Sequence, residues 1–466
     1  MTMWRPELSG QDGPKFRQIA DAIGEGVADG RLPRGTRLPP QRDLAHALGV
    51  SLNTVSRAYA DATERGFVQG EVGRGTYVRD GGPLPTETGA ASLGGLTRPA
   101  AGPIDFSLNL PAPGPAAAAL ARSLAVLSGS NALAAFLDYQ TEGERDRHAE
   151  AAVKWLGKLG LEARREDIVL TTGAQHGILA ALLASMRPGG VLLTEALTYA
   201  PVKAMARHLG LKVVPVAGDG ALDPKALDAT CRRVAGKVLY CLPTLHTPTT
   251  ATMDAECRSV VAAIARKHGL TLIEDDVFGL LPPDRPAPLA RFAPERTIYV
   301  TSVSKSLAPG LRVGFVQAPP SHARAVRTAV NLSCWMPPPL MAEIASRWIE
   351  DGTADTLNAF QREEAAVRQA MAKELLPARY LRADAHGFHI WLSLPPHWHP
   401  DVFRMEAQNR GVKVLVGGTF AVDPSRSPNA VRLCLSHEAS RARVREGLEV
   451  IAELLGSTEE PGSMVV

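Results

Sequence analysis

The chain contains 466 residues, of which 45% are hydrophobic, and it carries a formal net charge of +3. This composition allows a large hydrophobic core and excludes a wholly disordered protein. The small net charge excludes a strong field over the whole molecule that would draw it to nucleic acid or to a membrane, so any DNA-binding surface must be local.

The five cysteines form no CxxC pair, and most of them lie in apolar runs. We therefore expect reduced core residues of a cytosolic protein, and we predict no metal site. The chain does not open with a basic region and an apolar leader, and no apolar run reaches transmembrane length. These features predict a cytoplasmic protein without a membrane partner, long enough for about three domains.

The first eighty residues have the pattern of a small helical domain. Apolar residues recur at helical spacing in 16–27 and predict an amphipathic helix. A second, short helix is predicted in 38–49, started by prolines and stopped by a glycine. A third is predicted from Leu52 to Arg65, with Ser51 as its N-cap. Two short helices joined by a tight turn are typical of a helix-turn-helix.

Two predicted strands, 67–70 and 75–78, follow as a hairpin wing. From Arg31 to Arg57 the chain has five arginines and one acid, Asp43, so positive charge is concentrated on the second and third helices, as phosphate contact requires. The alternative is a small helical domain with a solvated arginine face. The candidate DNA-binding residues are Arg42, Ser51, Asn53, Thr54, Arg57, Arg74 and Gly75.

This segment resembles the winged-helix domain of the GntR family of bacterial regulators. The resemblance rests on Gly30-x-Leu32-x-x-Gly35, Leu38-Pro39-x-x-Arg42-x-Leu44-Ala45, Gly49-Val50-Ser51-x-x-Thr54-Val55, Tyr59 and Gly73-x-Gly75-Thr76-Tyr77-Val78. It implies that Arg42, Ser51, Asn53, Thr54 and the wing around Arg74-Gly75 contact DNA.

Residues 81–103 are rich in glycine, proline, alanine and threonine and show no periodicity, which predicts a flexible linker. We therefore divide the chain into a DNA-binding domain (1–80), this linker and a large C-terminal domain (104–466). Within that domain we expect a large part at about 140–330 and a small part at about 331–466 that also includes 104–139.

Apolar strands alternate with helical stretches from Ile168 onward, which predicts an α/β domain with a mostly parallel sheet. The strand candidates are Ile168–Leu170, Val191–Leu193, Val213–Val216, Val238–Leu242, Leu270–Ile273, Ile298–Val300 and Val313–Val316. Ligands of such sheets bind beyond the carboxyl ends of the strands. Polar residues follow strand after strand at that edge.

The most informative of these positions follows the sixth strand, in the stretch from Thr301 to Arg312. It places Lys305 among hydroxyls, before a Pro-Gly turn and an arginine. A lysine amine can form a Schiff base with pyridoxal phosphate, while hydroxyls and an arginine hold the phosphate. The alternative is an ordinary strand-to-loop exit with an exposed lysine.

Three further positions point to the same edge. Small residues at Gly173-Ala174-Gln175 would expose N–H groups to an anion, although such turns also serve as plain connections. Tyr199 could lie flat on an aromatic ligand, although a lone tyrosine is more often a core residue. The fifth strand ends in Glu274-Asp275-Asp276, where a carboxylate could keep a pyridine nitrogen protonated; the alternative is a solvated strand end.

These residues resemble the fold-type I aminotransferases of class I/II. The motifs are Gly173-Ala174-Gln175, Glu274-Asp275-Asp276 and Ser302-x-Ser304-Lys305-Ser306-x-x-Pro309-Gly310-x-Arg312-x-Gly314. The resemblance implies a large domain with a mostly parallel sheet and a smaller α+β C-terminal domain. It assigns the Schiff base to Lys305 and the pyridine nitrogen to Asp275, as the catalytic pair. It assigns ring stacking to Tyr199 and the phosphate to Ala174, Gln175, Ser302, Ser304 and Arg312.

The strand 430–436 matches the family's strand whose arginine binds the substrate α-carboxylate, which implies that role for Arg432. The alternative is an edge-strand surface charge. Two positions depart from the family pattern: Phe278 replaces a frequent tyrosine, and Thr247 replaces a frequent asparagine. Both family residues touch the phenolic oxygen of the cofactor, and Phe278 cannot donate a hydrogen bond to it.

A GntR-type domain fused to an aminotransferase-like domain is the architecture of the MocR subfamily of regulators. That resemblance implies a DNA-binding transcriptional regulator that senses pyridoxal 5′-phosphate (PLP) or an amino compound through an aldimine at Lys305. It also implies a homodimer, usually domain-swapped, that binds promoter DNA. The second hypothesis is a PLP-dependent aminotransferase that carries an inherited DNA-binding domain. A PLP-binding scaffold without DNA contact is a third.

Overall fold

In the computed structural model, the chain divides into two compact units, Met1–Ser92 and Leu93–Val466. The structure describes residues 4–6, 14–33, 35–64, 67–71, 75–78, 102–140, 142–236 and 238–457. The predicted linker lies outside these ranges except for Gly102 and Pro103, and the predicted DNA contact Arg74 also lies outside them.

The first unit is a small helical domain with a β-hairpin. Its described elements are α1 (Lys15–Ala28), α2 (Gln41–Leu48), α3 (Leu52–Glu64), β1 (Val68–Glu71) and β2 (Gly75–Val78). Ile19 and Ile23 of α1 pack with Val55 and Tyr59 of α3 in one buried core. The strands β1 and β2 pair antiparallel. The predicted winged helix-turn-helix is therefore confirmed.

The turn between α2 and α3 is held by local hydrogen bonds. Gly49 has a φ of 63°, a left-handed conformation that suits glycine. Ser51 Oγ accepts a hydrogen bond of 3.1 Å from Thr54 N, which caps α3 as predicted. The buried hydroxyl of Tyr59 donates to Pro39 O at 2.7 Å. This last bond links α3 to the start of α2 and sets the position of the two helices relative to each other.

The second unit contains two sheets and a short strand pair. Its described strands are β3 (Ile104–Asp105), β4 (Ile168–Thr171), β5 (Val191–Glu195), β6 (Lys212–Val216), β7 (Val238–Cys241), β8 (Thr271–Asp275), β9 (Thr297–Ser302), β10 (Gly314–Gln317), β11 (Leu381–Ala383), β12 (His389–Ser393), β13 (Val412–Lys413), β14 (Leu415–Val416) and β15 (Ala430–Cys434).

In the described part of this unit, seven strands form the large sheet in the order β4-β10-β9-β8-β7-β5-β6. Only β10 runs antiparallel to its neighbours, β4 and β9. Each of the seven predicted strands corresponds to one of these strands, and their ends differ by at most two residues. The residues of β7 and β9 are all buried, as expected for a sheet that is covered on both faces.

Helices pack against this large sheet and against the smaller one. The described helices are α4 (Ala116–Ser128), α5 (Glu142–Gly157), α6 (Ala174–Ser185), α7 (Ala200–His208), α8 (Pro224–Arg233), α9 (Ala255–His268), α10 (Leu289–Phe292), α11 (Pro320–Cys334), α12 (Pro339–Glu350), α13 (Thr353–Leu375), α14 (Pro400–Asn409) and α15 (Arg441–Gly456). The smaller sheet, in the order β11-β12-β15-β14, is antiparallel and shares a core with α14 and α15. The predicted fold class is confirmed.

Candidate functional site

The candidate DNA-binding side chains lie on one part of the first unit. Arg42 on α2 and Asn53 and Arg57 on α3 are exposed. The guanidinium of Arg57 lies 4.3 Å from the centre of the Phe16 ring, so α1 supports this side chain from below. Arg42 and Asn53 are exposed at the N-terminal ends of the two helices, where phosphate and base edges are usually met.

Ser51, which caps α3, is also hydrogen-bonded to the Thr54 hydroxyl. Their hydroxyl oxygens lie 2.8 Å apart.

In the wing, the guanidinium of Arg37 packs so closely on Gly75 that a Cβ there would lie 2.8 Å from Arg37 Nε. Gly75 has a φ of 117°, which also favours glycine. Arg37 was not among the residues predicted from the sequence.

In the second unit, Lys305 lies just beyond the carboxyl end of β9. Its Nζ donates to the backbone carbonyl oxygen of Asn109 and lies 5.6 Å from the centre of the Phe278 ring. The pKa of the Lys305 amine is lowered to about 8, and burial is the largest cause of this shift. The alternative of an exposed loop lysine is therefore wrong.

The three acids at the end of β8 have different surroundings, and none is solvated. Glu274 accepts two backbone N–H bonds of 2.8 Å from the start of α10. Asp276 pairs with the guanidinium of Arg285 and accepts a 2.8 Å bond from the Tyr299 hydroxyl. The alternative of a solvated strand end is wrong, because the acids are 0%, 4% and 0% exposed in chain order.

Asp275 and Asp276 each have one carboxyl oxygen without a hydrogen-bond partner among the described residues, but Asp276 is paired with the guanidinium of Arg285 and Asp275 has no such ion pair there. Asp275 Oδ2 accepts a 2.6 Å hydrogen bond from the Tyr240 hydroxyl of β7. Its Oδ1 is buried and has no hydrogen-bond partner among the described residues. Burial raises the pKa of Asp275 to about 6, while the Tyr240 bond acts in the opposite direction. A buried acceptor of this kind suits a cationic N–H donor.

The predicted anion-binding residues converge on the N-terminus of α6. Gly314 on β10 pairs with Ser302 on one side and with Thr171 on the other, so β10 brings the loops after β4 and β9 together. Arg312 Nη2 donates to Thr172 O at 3.1 Å, and its guanidinium lies against Gly173.

Each predicted anion-binding residue has a defined place in this loop cluster. Ala174 and Gln175 are the first two residues of α6, after Gly173 at a φ of 82°. Ser304 N donates to the buried Ser302 Oγ at 3.3 Å. Exposed N–H groups, hydroxyls and a guanidinium together form a site for a phosphate-sized anion.

Arg432 belongs to an inner strand. It lies on β15, between β12 and β14, and is 7% exposed, so the edge-strand alternative is wrong. Its Nη2 donates to Ser107 O at 2.7 Å, and its guanidinium lies 4.9 Å from the centre of the Phe420 ring. Its Nε has no hydrogen-bond partner within the described ranges. The group therefore keeps a donor for a carboxylate.

Tyr199, at the N-terminus of α7, shares the surroundings of these charged groups. Burial raises the pKa of its hydroxyl to about 12. Asp275 acts in the same direction, and Arg312 and Arg432 act against it. All three charged groups are therefore near enough to influence the Tyr199 hydroxyl.

The two positions that depart from the family pattern are both buried. Phe278 packs edge-on against Phe388 at 5.8 Å and lies 6.0 Å from the ring of His389. Thr247 is 4% exposed. The ring of Phe278 thus packs against other aromatic rings near Lys305, and it has no hydrogen-bond donor to offer there.

Sequence reasoning missed four residues of this site. They are Asn109, Tyr240, His246 and His389. His389 Nε2 lies 3.2 Å from His246 O, and its Nδ1 lies 3.4 Å from Asn109 Nδ2, so the ring donates to the first and accepts from the second. Burial lowers the pKa of His389 to about 3, so the ring is neutral. The tyrosine carried a usable signal, because a hydroxyl in a buried apolar strand needs a partner.

Comparison with known proteins identifies both units. Residues 114–451 match the family "Aminotransferase class I and II", and residues 15–78 match "Bacterial regulatory proteins, gntR family". The HTH-type transcriptional regulator YdeF of Bacillus subtilis is 29% identical, covering 97% of this chain and 96% of its own. The vitamin B6 salvage pathway transcriptional repressor PtsJ of Salmonella typhimurium is 28% identical, covering 91% and 95%.

The second unit is also similar to a solved structure. The α-aminoadipate aminotransferase LysN of Thermus thermophilus, complexed with N-(5′-phosphopyridoxyl)-L-leucine, superposes with a TM-score of 0.67 and 25% identity. The match covers 76% of this chain and 92% of LysN. In the part of the chain that the structure describes, no helix is both long and apolar enough to cross a membrane.

The family's cofactor, PLP, fits the residues present. Three features match the three reactive parts of PLP. The unpartnered Oδ1 of Asp275 suits the pyridine nitrogen, and the Lys305 amine, with its lowered pKa, suits the aldehyde. The anion-binding residues at the N-terminus of α6 suit the phosphate. The chain therefore belongs to the class I and II aminotransferase family and carries a GntR-family DNA-binding domain before it, which is the arrangement of the MocR transcriptional regulators.

Proposed function

We propose that the protein regulates transcription by binding promoter DNA through its first unit and by sensing PLP, or an amino compound that reacts with it, in its second unit. The observation that carries this proposal is the coexistence in one chain of an exposed basic recognition face and a site built from the half-buried Lys305 and the buried Asp275 and Arg432. Each half has charged and polar groups that suit its own ligand.

The residues divide the work of holding the cofactor. Lys305 binds it covalently through Nζ, and Asp275 Oδ1 accepts the pyridinium N–H. Tyr199 stacks on the ring, and the backbone of Ala174 and Gln175 binds the phosphate with Ser302, Ser304 and Arg312. When bound, PLP supplies an electron sink for the carbon that bears the effector's amine.

The effector is an amino compound with a carboxylate. Arg432 is the cation that receives the carboxylate, because its guanidinium is buried beside Lys305 and keeps an unused Nε donor within the described part of the chain. The alternative effector is PLP itself, in which case Arg432 has only a structural role. The two effectors are distinguished by whether an amino acid changes DNA binding beyond the effect of PLP.

The protein acts as a domain-swapped homodimer with two DNA-binding units in the cytoplasm. An exposed apolar patch on the second unit supports the dimer: Leu137, Tyr139, Leu332 and Trp335 are 89%, 75%, 83% and 60% exposed. The ring centres of Tyr139 and Trp335 lie 5.7 Å apart, so these two exposed residues are in contact. Exposed apolar patches of this kind mark protein–protein contacts. The two DNA-binding units of such a dimer would match paired half-sites on the DNA.

A second candidate function is transamination. It is favoured by the presence of Lys305, Asp275 and Arg432 in one site, which are the charged groups that the reaction needs. Phe278 and Thr247 count against efficient turnover, because the phenolic oxygen of the cofactor then has fewer donors.

One experiment separates the two functions. Genomic DNA fragments are captured on the purified protein with and without PLP and sequenced, and amino-group transfer is measured in single turnovers over a panel of amino acids. The regulator predicts capture of defined sites that depends on PLP and slow transfer. Rapid transfer, combined with no site enrichment in either condition, would reject the regulator and support the enzyme.

A further inference from the structure

The first described residues after the predicted linker run directly to the cofactor site. We call residues 102–109 the entry segment. At its far end, Asn109 O accepts a hydrogen bond from Lys305 Nζ, and Ser107 O accepts one of 2.7 Å from Arg432 Nη2. The two cationic groups that the proposed ligands use are therefore also the groups that hold this segment down.

The near end of the entry segment is held by a buried ion pair. Arg443 Nη2 donates to Gly102 O at 3.0 Å and to Pro103 O at 3.1 Å. Its Nε donates to Glu438 Oε2 at 2.6 Å, and Glu438 Oε1 accepts a 2.6 Å bond from Asp105 N. Glu438 is 4% exposed, so this contact is shielded from solvent screening.

The middle of the segment joins the two ends. Asp105 Oδ1 accepts both the N–H and the hydroxyl of Ser107, at 2.8 and 2.6 Å. Phe106 is fully buried, and its carbonyl oxygen accepts a 2.7 Å bond from Cys434 N on β15. Hydrogen bonds and packing thus connect Lys305 and Arg432 to Gly102 and Pro103, the residues at which the predicted linker ends.

We propose that the entry segment transmits occupancy of the Lys305–Arg432 site to the linker, because ligands compete with the carbonyl oxygens of Asn109 and Ser107 for the two cationic groups. This inference rests on the proposed regulatory function and gives it a physical route. It assigns to residues 102–109 the role of a coupling element rather than a fixed covering strand.

Ligands compete with the entry segment because Lys305 and Arg432 have a limited number of hydrogen-bond donors. If the neutral Lys305 amine condensed with the aldehyde of PLP, a C=N bond would form, the aldehyde oxygen would leave as water with both amine hydrogens, and the neutral imine nitrogen would have no hydrogen to donate to Asn109 O. A carboxylate that binds Arg432 takes the donors that now serve Ser107 O. Asn109 and Ser107 are half-buried, and a partly desolvated carbonyl that loses its donor is destabilised, so the segment shifts until each carbonyl finds another donor. The size of the effect on DNA is limited by the ligand's preference for one arrangement.

Hydrogen exchange tests the first step without reference to DNA. Addition of PLP is expected to speed amide exchange in peptides covering 104–112 about threefold to tenfold, the effect of losing one hydrogen bond. The Lys305→Met variant has no amine in either state, so its segment should exchange fast with and without PLP. Unchanged or slower exchange in the wild-type segment on PLP addition would overturn the proposal.

Substitution at the near end tests the second step. Arg443→Lys keeps a charge opposite Glu438 but loses the fork that holds the Gly102 and Pro103 carbonyls. Arg445→Lys is the matched control, because Arg445 lies on the same helix and pairs with the surface residue Glu374. In a promoter-fragment titration, we measure the fold change in DNA affinity that PLP causes. This fold change is expected to be at least about fivefold smaller in Arg443→Lys than in the wild type, and to persist in Arg445→Lys.

The outcomes separate this inference from the proposed function. A PLP response that is equal in wild type, Arg443→Lys and Arg445→Lys would overturn the entry segment as the route and leave the regulator intact. A wild-type chain whose DNA affinity ignores PLP would overturn the regulator and the route with it. The visible absorbance of bound PLP, measured in the same samples, confirms that each variant keeps its folded site.

Discussion

The Tyr240 hydroxyl donates a 2.6 Å hydrogen bond to Oδ2 of Asp275, and Oδ1 of the same carboxyl is buried without a partner among the residues that the structure describes. One oxygen is thus held by the protein and the other is left for a ligand. The pair lies across two neighbouring strands, β7 and β8, whose register places Tyr240 opposite Ile273. This arrangement fixes the direction in which the carboxylate can accept a cationic donor.

Removal of that hydroxyl should weaken the cofactor site. In Tyr240→Phe, the pKa of Asp275 is expected to rise above its value of about 6, because the Tyr240 bond lowers it in the wild type. We expect PLP to bind about tenfold more weakly at pH 7, measured by absorbance titration. Tyr299→Phe, which removes a hydroxyl from Asp276 instead, is the control and should bind PLP as the wild type does. Equal affinities in all three proteins would contradict this account of Asp275.

The raised pKa of Asp275 also predicts a pH dependence. Because the folded-state pKa is about 6, above the usual 3.8, ionisation of the buried carboxyl opposes folding, and this cost grows as the pH rises from about 4 and is complete above about 6. It reaches about 3 kcal/mol without a cationic partner. PLP supplies that partner, so its gain in melting temperature should be several degrees larger at pH 7.5 than at pH 5.

The Asp275→Asn variant is the control for this pH effect. It has no charge to neutralise, so the difference between the two pH values should largely disappear, apart from the part due to Lys305. A gain in melting temperature with the same pH dependence in wild type and variant would contradict the role of Asp275.

The amine of Lys305 predicts a second, separate pH effect. With a pKa of about 8, roughly one tenth of the amine is neutral at pH 7. Only the neutral form attacks an aldehyde, so the observed rate of PLP attachment should rise about fivefold between pH 7 and pH 8 and level off above pH 9. Stopped-flow absorbance measures it. A rate that keeps rising tenfold per pH unit to pH 10 would contradict the lowered pKa.

Arg432 should govern the amino compound rather than the cofactor. Arg432→Met is expected to reduce the affinity for amino acids about 100-fold, as judged by the change in the bound-PLP spectrum, while PLP itself stays bound. Arg382→Met is the control, because Arg382 lies on the same sheet but pairs with the exposed Asp219. A variant that loses PLP and amino acids together would show that Arg432 acts on the fold of the site.

The DNA-binding face predicts a salt signature. Arg42→Ala should weaken binding to all DNA sequences and lower the slope of log affinity against log salt by about 1, as expected for one phosphate contact. Asn53→Ala should cost about 1–3 kcal/mol on the preferred sequence and reduce its advantage over other sequences. Arg17→Ala, on the exposed side of α1, serves as the control. Equal effects of Arg17 and Arg42 on the slope would contradict the assignment of α2.

The sequence predicted those features that are written into local patterns. Seven apolar runs predicted seven strands, and Gly49 and Ser51 predicted the turn and cap of the DNA-binding domain. The stretch around Lys305 indicated the cofactor, PLP, because the hydroxyls and Arg312 are neighbours in the chain; the roles of its individual residues stay predictions.

Long-range contacts could not be read in this way. Asn109 meets Lys305 across 196 residues, and Tyr240 meets Asp275 because β7 and β8 are adjacent in the sheet. No periodicity or spacing specifies which strands are neighbours. The burial of Glu274 and Asp276 has the same origin, since Arg285 and the start of α10 supply their partners only once the chain is folded.

The most direct test of the account is the affinity of the full chain for its own promoter DNA over a PLP titration, in wild type and in Lys305→Met. We expect the wild-type dissociation constant to change at least about fivefold as the absorbance of bound PLP saturates. The variant should bind DNA with one affinity at every PLP concentration. A wild-type affinity that stays constant while PLP saturates the site, or a variant that responds as the wild type does, would contradict sensing through Lys305.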